Sequence, residues 1–136
     1  MWTVLTDLTQ MKQWMGEPEL RIEIETDWIL GGPILIRGFH HAKFENKGVV
    51  LAFHKNKRLT YTHLSSVSRL PDIESSYSVL DFILTPIDDS TLLTLNIENF
   101  PTDAIRKHME FYWKGTLNII KETVESRQGT KRSQAE

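Results

Sequence analysis

The chain has 136 residues, 40% hydrophobic and 25% charged, with 18 acidic against 16 basic side chains and a net charge of -2. One domain of this length buries roughly two-thirds of its unfolded surface, and so balanced a charge exerts no pull on a phosphate backbone, which argues against nucleic acid. The absence of cysteine excludes disulfides, thiolate zinc sites and thiol catalysis. No apolar run approaches the roughly 20 residues of a membrane-spanning helix, so the expectation is a cytoplasmic protein without membrane contact.

From Trp2 to Met15 the apolar residues recur every three or four positions, the spacing of two short helices, with Asp7 and Thr9 as candidate caps between them. In "ELRIEIETDW" the period changes to two. Leu20, Ile22, Ile24, Thr26 and Trp28 share one face and Glu19, Arg21, Glu23, Glu25 and Asp27 the other, as in a half-wet antiparallel strand over residues 19–28. Gly31, Gly32 and Pro33 break the chain, and "PILIRGF" reads as the returning strand.

Four further strand-like runs, "KGVVLAFH", "RLTYTHL", "YSVLDFILTP" and "TLLTLNIENF", are separated by polar turns and complete a meander of about six strands. After Pro101 the helical period returns: Ile105, His108, Met109, Tyr112, Trp113, Thr116, Leu117, Ile120 and Val124 form one stripe, with Thr102 as N-cap. A helix over 102–126 would run about 37 Å at roughly 1.5 Å per residue. Residues 128–136 lack periodicity and read as a disordered tail, leaving one domain over 1–127. The order of elements is that of an α+β fold whose last helix packs on an antiparallel sheet.

Candidate chemistry is sparse. His40 and His41 are adjacent and would point to opposite faces of a strand, and no ligand spacing repeats, so neither a metal nor a cofactor is expected. Asp81, between Leu80 and Phe82, reads as a solvated residue opposite the core face, the alternative being a buried acid with a raised pKa. Glu98 and Asn99 sit at a strand end, where polar residues occur by default. Trp14, Trp28, Phe39, Phe53, Tyr61, Phe82, Tyr112 and Trp113 are spread over elements that should converge; most suit a core, while His63 and Tyr112 would supply orienting groups to an apolar pocket. Gly115, inside the last helix, suggests close approach of the helix to the sheet or to a ligand.

Five stretches, "WTVLTDLTQMKQWM", "TDWILGGPILI", "ENKGVVLAFHKNKRLTYTH", "DFILTPIDDSTLLTL" and "HMEFYWKGTLNIIK", cover nearly the whole chain in one order. In them it resembles the homologues of the heat-shock-protein ATPase activator, within the START-like (SRPBCC) superfamily. The resemblance implies a helix-grip fold: a curved antiparallel sheet wrapped around a long C-terminal helix, with a cavity between them.

It carries no catalytic residue onto this chain. The expected function is non-catalytic binding of a small apolar or aromatic molecule, with Trp14, Trp28, Tyr61, His63, Leu80, Phe82, Leu84, Leu93, Leu95, Tyr112 and Trp113 lining the cavity. The alternatives are a chaperone-interacting module, and a cyclase or lyase using His63 or an acid as base. The family normally has a strand before the first helix; without it the strand "TLLTLNIEN" becomes an open edge, and a homodimer through residues 91–99 is expected, or a mobile edge.

Overall fold

A computed structural model describes the backbone of residues 1–135 and the side chains of residues 1–126. Two short helices, α1 (Trp2–Thr6) and α2 (Leu8–Met15), are followed by six strands and one long helix. The strands are β1 (Glu23–Glu25), β2 (Pro33–His40), β3 (Ala42–His54), β4 (Arg58–Ser65), β5 (Ser78–Ile87) and β6 (Ser90–Glu98), and the helix is α3 (Asp103–Ala135). The sheet is antiparallel throughout, in the order β1-β2-β3-β4-β5-β6, with α3 against its inner face: the helix-grip arrangement. The expected tail, 128–136, lies outside the residues whose side chains are described.

Local chemistry explains most boundaries. Asp7 separates the first two helices, its carboxylate accepting the Gln10 amide at 3.1 Å, while Thr9 lies inside α2 and caps nothing. Thr102 caps α3 as expected, accepting the Ile105 amide at 3.1 Å. On α3, Met109, Trp113, Thr116, Ile120 and Val124 are buried, Ile105, Tyr112 and Leu117 half-buried, and His108 is exposed.

The expected strand over 19–28 shrinks to Glu23–Glu25. Pro18 opens a 3-10 turn ending at Arg21 in the left-handed region, and beyond Thr26, whose hydroxyl accepts the Trp28 amide, Trp28 itself has φ 54°. Both ends therefore leave the extended region, although the alternation of covered and exposed side chains persists over all ten residues. Strand β3 is longer than its apolar stretch, beginning at Ala42, because β2 gives it a partner along its polar first half.

Gly48 is where β3 and β4 come closest. A Cβ there would lie 1.7 Å from the Thr62 carbonyl oxygen, so only glycine fits. The Val49 amide donates to the Thr62 hydroxyl at 2.8 Å, and the register shifts between Val50 and Ala52, as at a β-bulge, which bends a strand locally.

Gly115 departs from expectation. It is exposed, and among the described residues a Cβ built on it meets no atom beyond its own turn of helix within 4 Å, so the sheet does not approach it.

Candidate functional site

Directly opposed residues of an antiparallel pair share a face, so the register assembles the site. Tyr61 pairs with Leu80, Leu59 with Phe82, and then Leu80 with Ile97, Phe82 with Leu95 and Leu84 with Leu93. These side chains meet Met109, Trp113 and Ile120 of α3 in one core. Tyr61 stacks on Phe82 at 6.0 Å between ring centroids, Phe82 meets the Trp113 ring edge-on at 5.4 Å, and Trp113 touches Trp14 at 6.0 Å and Tyr112 at 5.1 Å. The inner residues of β4 and β5 are buried, while Leu93, Leu95 and Ile97 of β6 are only half-buried. Beside α3, the open side of the core is thus the β6 edge.

Polar groups collect at one end of this face. His63 follows Tyr61 on β4; its opposed residue on β5 is Ser78, which is buried, and on β3 the register sets Gly48 level with it. Both of these cross-strand neighbours are small. Burial, reinforced by the charge of His108, pulls the His63 pKa from 6.5 down to about 4, so the ring is neutral at neutral pH. Burial likewise pushes the Tyr61 phenol above its ordinary value.

From α3, His108 and Tyr112 lie one turn apart with rings stacked at 6.5 Å. Burial raises the Tyr112 pKa while the neighbouring Thr116 hydroxyl opposes it, and the Tyr112 hydroxyl donates to the Met15 carbonyl at 2.7 Å. Asn46, opposite Ile36 and Ser65, lies on the same inner face, and its Oδ1 is buried without a hydrogen-bond partner among the described residues.

Of the residues expected to line a cavity, Tyr61, Leu80, Phe82, Leu84, Leu93, Leu95, Tyr112 and Trp113 share this core, with His63 at its polar end. Trp14 joins through Trp113, but its indole N–H is committed to the Val4 carbonyl at 2.8 Å. Trp28 lies in a different stack, on Phe53 and through it near Trp2, with its N–H on the Thr6 carbonyl at 3.0 Å.

Asn46, His108 and Ser78 were not anticipated. The parity of Asn46 with Val50 in β3, and the one-turn spacing of His108 from Tyr112, were the signals available for two of them.

The remaining polar candidates serve the fold. Asp81 faces outward and accepts both Arg58 bonds at 2.9 Å and the Thr60 hydroxyl at 2.7 Å, and the Arg58 bonds hold its carboxyl below its ordinary range. Asn99, at φ 61°, donates to the Ser75 and Tyr77 carbonyls at 2.8 Å each and so pins the loop before β5. His40 and His41 meet only each other's ring edges at 4.6 Å, and among the described residues no three His, Cys, Asp or Glu side chains converge as metal ligands. No helix among the described residues is long and apolar enough to cross a membrane.

Solved structures share this architecture. The solution structure of ChR145 from Cytophaga hutchinsonii aligns with a TM-score of 0.75 at 26% identity, covering 94% of this chain and 86% of that one. Protein CV1439 from Chromobacterium violaceum aligns at 0.76 and 20% identity over 91% and 86% of the two chains, and NE0264 from Nitrosomonas europaea at 0.70 and 23% over 93% and 85%. No curated protein matches. The sequence profile described as "Activator of Hsp90 ATPase homolog 1-like protein" matches residues 1–125, and the chain belongs to that family.

Proposed function

We propose that the protein binds a small, uncharged, largely apolar molecule between the inner face of the sheet and α3. Its head group would meet Asn46, Tyr61 and His63, and its body Phe82, Leu95 and Trp113. The observation that carries this reading is the buried Asn46 Oδ1, which has no partner among the described residues and lies on the same face as a neutral imidazole flanked by glycine and serine. A buried acceptor left unpaired costs about 1–3 kcal/mol, which a ligand donor would recover.

The inner face presents hydroxyl, amide and neutral imidazole groups, and Asp81 of β5 is turned outward in an ion pair. Among the described residues no Lys or Arg is buried on that face, so an anionic head group would lose its hydration without a buried counter-charge, which favours alcohols, phenols and amides over carboxylic acids. The half-buried residues of β6 mark the side of entry. A histidine held near pKa 4 is a weak base at neutral pH, and this favours binding over a cyclase or lyase reaction.

Native mass spectrometry of protein prepared from its own host, followed by amide chemical-shift mapping with uncharged and anionic aromatic probes, tests the reading. Co-purified mass or saturable shifts at Asn46, His63 and Leu95 with the uncharged probes are expected, weakened about 5- to 10-fold by Asn46→Leu, the equivalent of about one hydrogen bond. Absence of both, or tighter binding of the anionic probes, would overturn it.

A further inference from the structure

Helix α3 carries a second apolar stripe, on the side away from the sheet. Phe111 is 83% exposed, the most exposed large hydrophobic side chain among the described residues, and Ile119, two turns on, is 46% exposed. Between them, on the same line, lies Gly115 with nothing near it. Positions spaced by four lie on one helix face, so two apolar side chains flank a bare stretch of backbone. Among the described residues nothing accounts for either feature: the glycine weakens the helix with no close neighbour to justify it, and the phenyl ring is exposed.

The stripe is self-complementary about Gly115. Laid antiparallel on a second copy with a twofold axis through that residue, Phe111 faces Ile119 of the partner subunit, Gly115 faces its own counterpart, and His108 faces the partner's Glu122. The last pair opposes an imidazole N–H donor to a carboxylate, and both residues are exposed in the single chain. No like charges meet along the line. A twofold contact requires that each patch fit itself, and a glycine at the crossing point lets two helices approach to the short end of the usual 8–10 Å range.

We infer that α3 is the interface of a homodimer, two copies packing antiparallel through Phe111, Gly115 and Ile119. This contact is distinct from pairing along the β6 edge, and it leaves both the inner face of the sheet and the β6 side of entry uncovered. One helix face offers less area than the roughly 800 Å² per partner of a standard interface, so the dimer forms at high concentration and exchanges readily.

Sedimentation of the full chain from about 10 µM to about 500 µM, a range suited to a contact below standard size, should show a monomer–dimer equilibrium. Phe111→Glu and, separately, Gly115→Leu should each weaken it at least about 10-fold while leaving the circular dichroism spectrum unchanged, both positions being exposed. The chain has no cysteine, so Gly115→Cys gives a clean cross-link. Mild oxidation should convert that variant to a covalent dimer and leave Thr94→Cys, at the middle of β6, uncoupled. A wild-type monomer throughout the range, a dimer indifferent to both α3 substitutions, or coupling at Thr94→Cys instead of Gly115→Cys would overturn the inference, the last in favour of the β6 edge.

Discussion

The Tyr112 hydroxyl donates a 2.7 Å hydrogen bond to the carbonyl of Met15, 97 residues earlier in the chain. Met15 ends α2, where carbonyls lose their helical partners, so the phenol of α3 caps the helix that packs beside it. Tyr112→Phe keeps the ring contact with Trp113 and removes the hydroxyl that makes this bond. A loss of about 1 kcal/mol is expected. Thermal unfolding should show a drop in Tm of about 4 °C, and an unchanged Tm would mean that water replaces the phenol.

Gly48→Ala is expected to be severe. Its methyl carbon would enter the Thr62 carbonyl, backbone that cannot move without disturbing the β3–β4 ladder. A cost above about 3 kcal/mol, read as loss of soluble expression or a Tm lowered by more than about 10 °C, follows from forced backbone displacement.

Gly115→Ala has the opposite sign. Its methyl group meets nothing, so the substitution should stabilise α3 by about 0.5–1 kcal/mol through the lower entropy of the unfolded chain. Urea unfolding at low protein concentration, where association does not contribute, measures it.

His63 makes stability depend on pH in a defined direction. Its folded pKa of about 4 lies below the ordinary 6.5, so the unfolded chain takes up a proton in that window that the native protein refuses. The contribution is therefore complete above the unfolded value and is lost as pH falls from about 6.5 toward about 4. The difference in unfolding free energy between wild type and His63→Gln should shrink from pH 7 to pH 4.5. Parallel curves for the two proteins would contradict the burial of the ring.

Asp81→Asn tests the outer face. The carboxylate, only 15% exposed, holds both Arg58 and Thr60, and losing its charge should cost about 1 kcal/mol. Because Arg58 lowers the folded pKa of Asp81, the wild-type advantage is present above the ordinary carboxylate value and fades as pH falls below it. Chemical denaturation at pH 7 and pH 3 should show that convergence.

The sequence determined the succession of elements and the parity of nearly every strand residue. Hydrophobic period depends on which face is covered, and a curved sheet gripping one helix covers a single face along each strand; hence Tyr61 and His63, or Leu93 and Leu95, are legible as one inward face once the resemblance supplies the helix that they face. Tertiary structure alone decided what happens between elements. The closeness of Gly48 to Thr62, the meeting of Asn46 and His63 on one face, and the open space at Gly115 all depend on register and on crossing geometry. Those are distances between segments far apart in the chain, and no local pattern of residues encodes them.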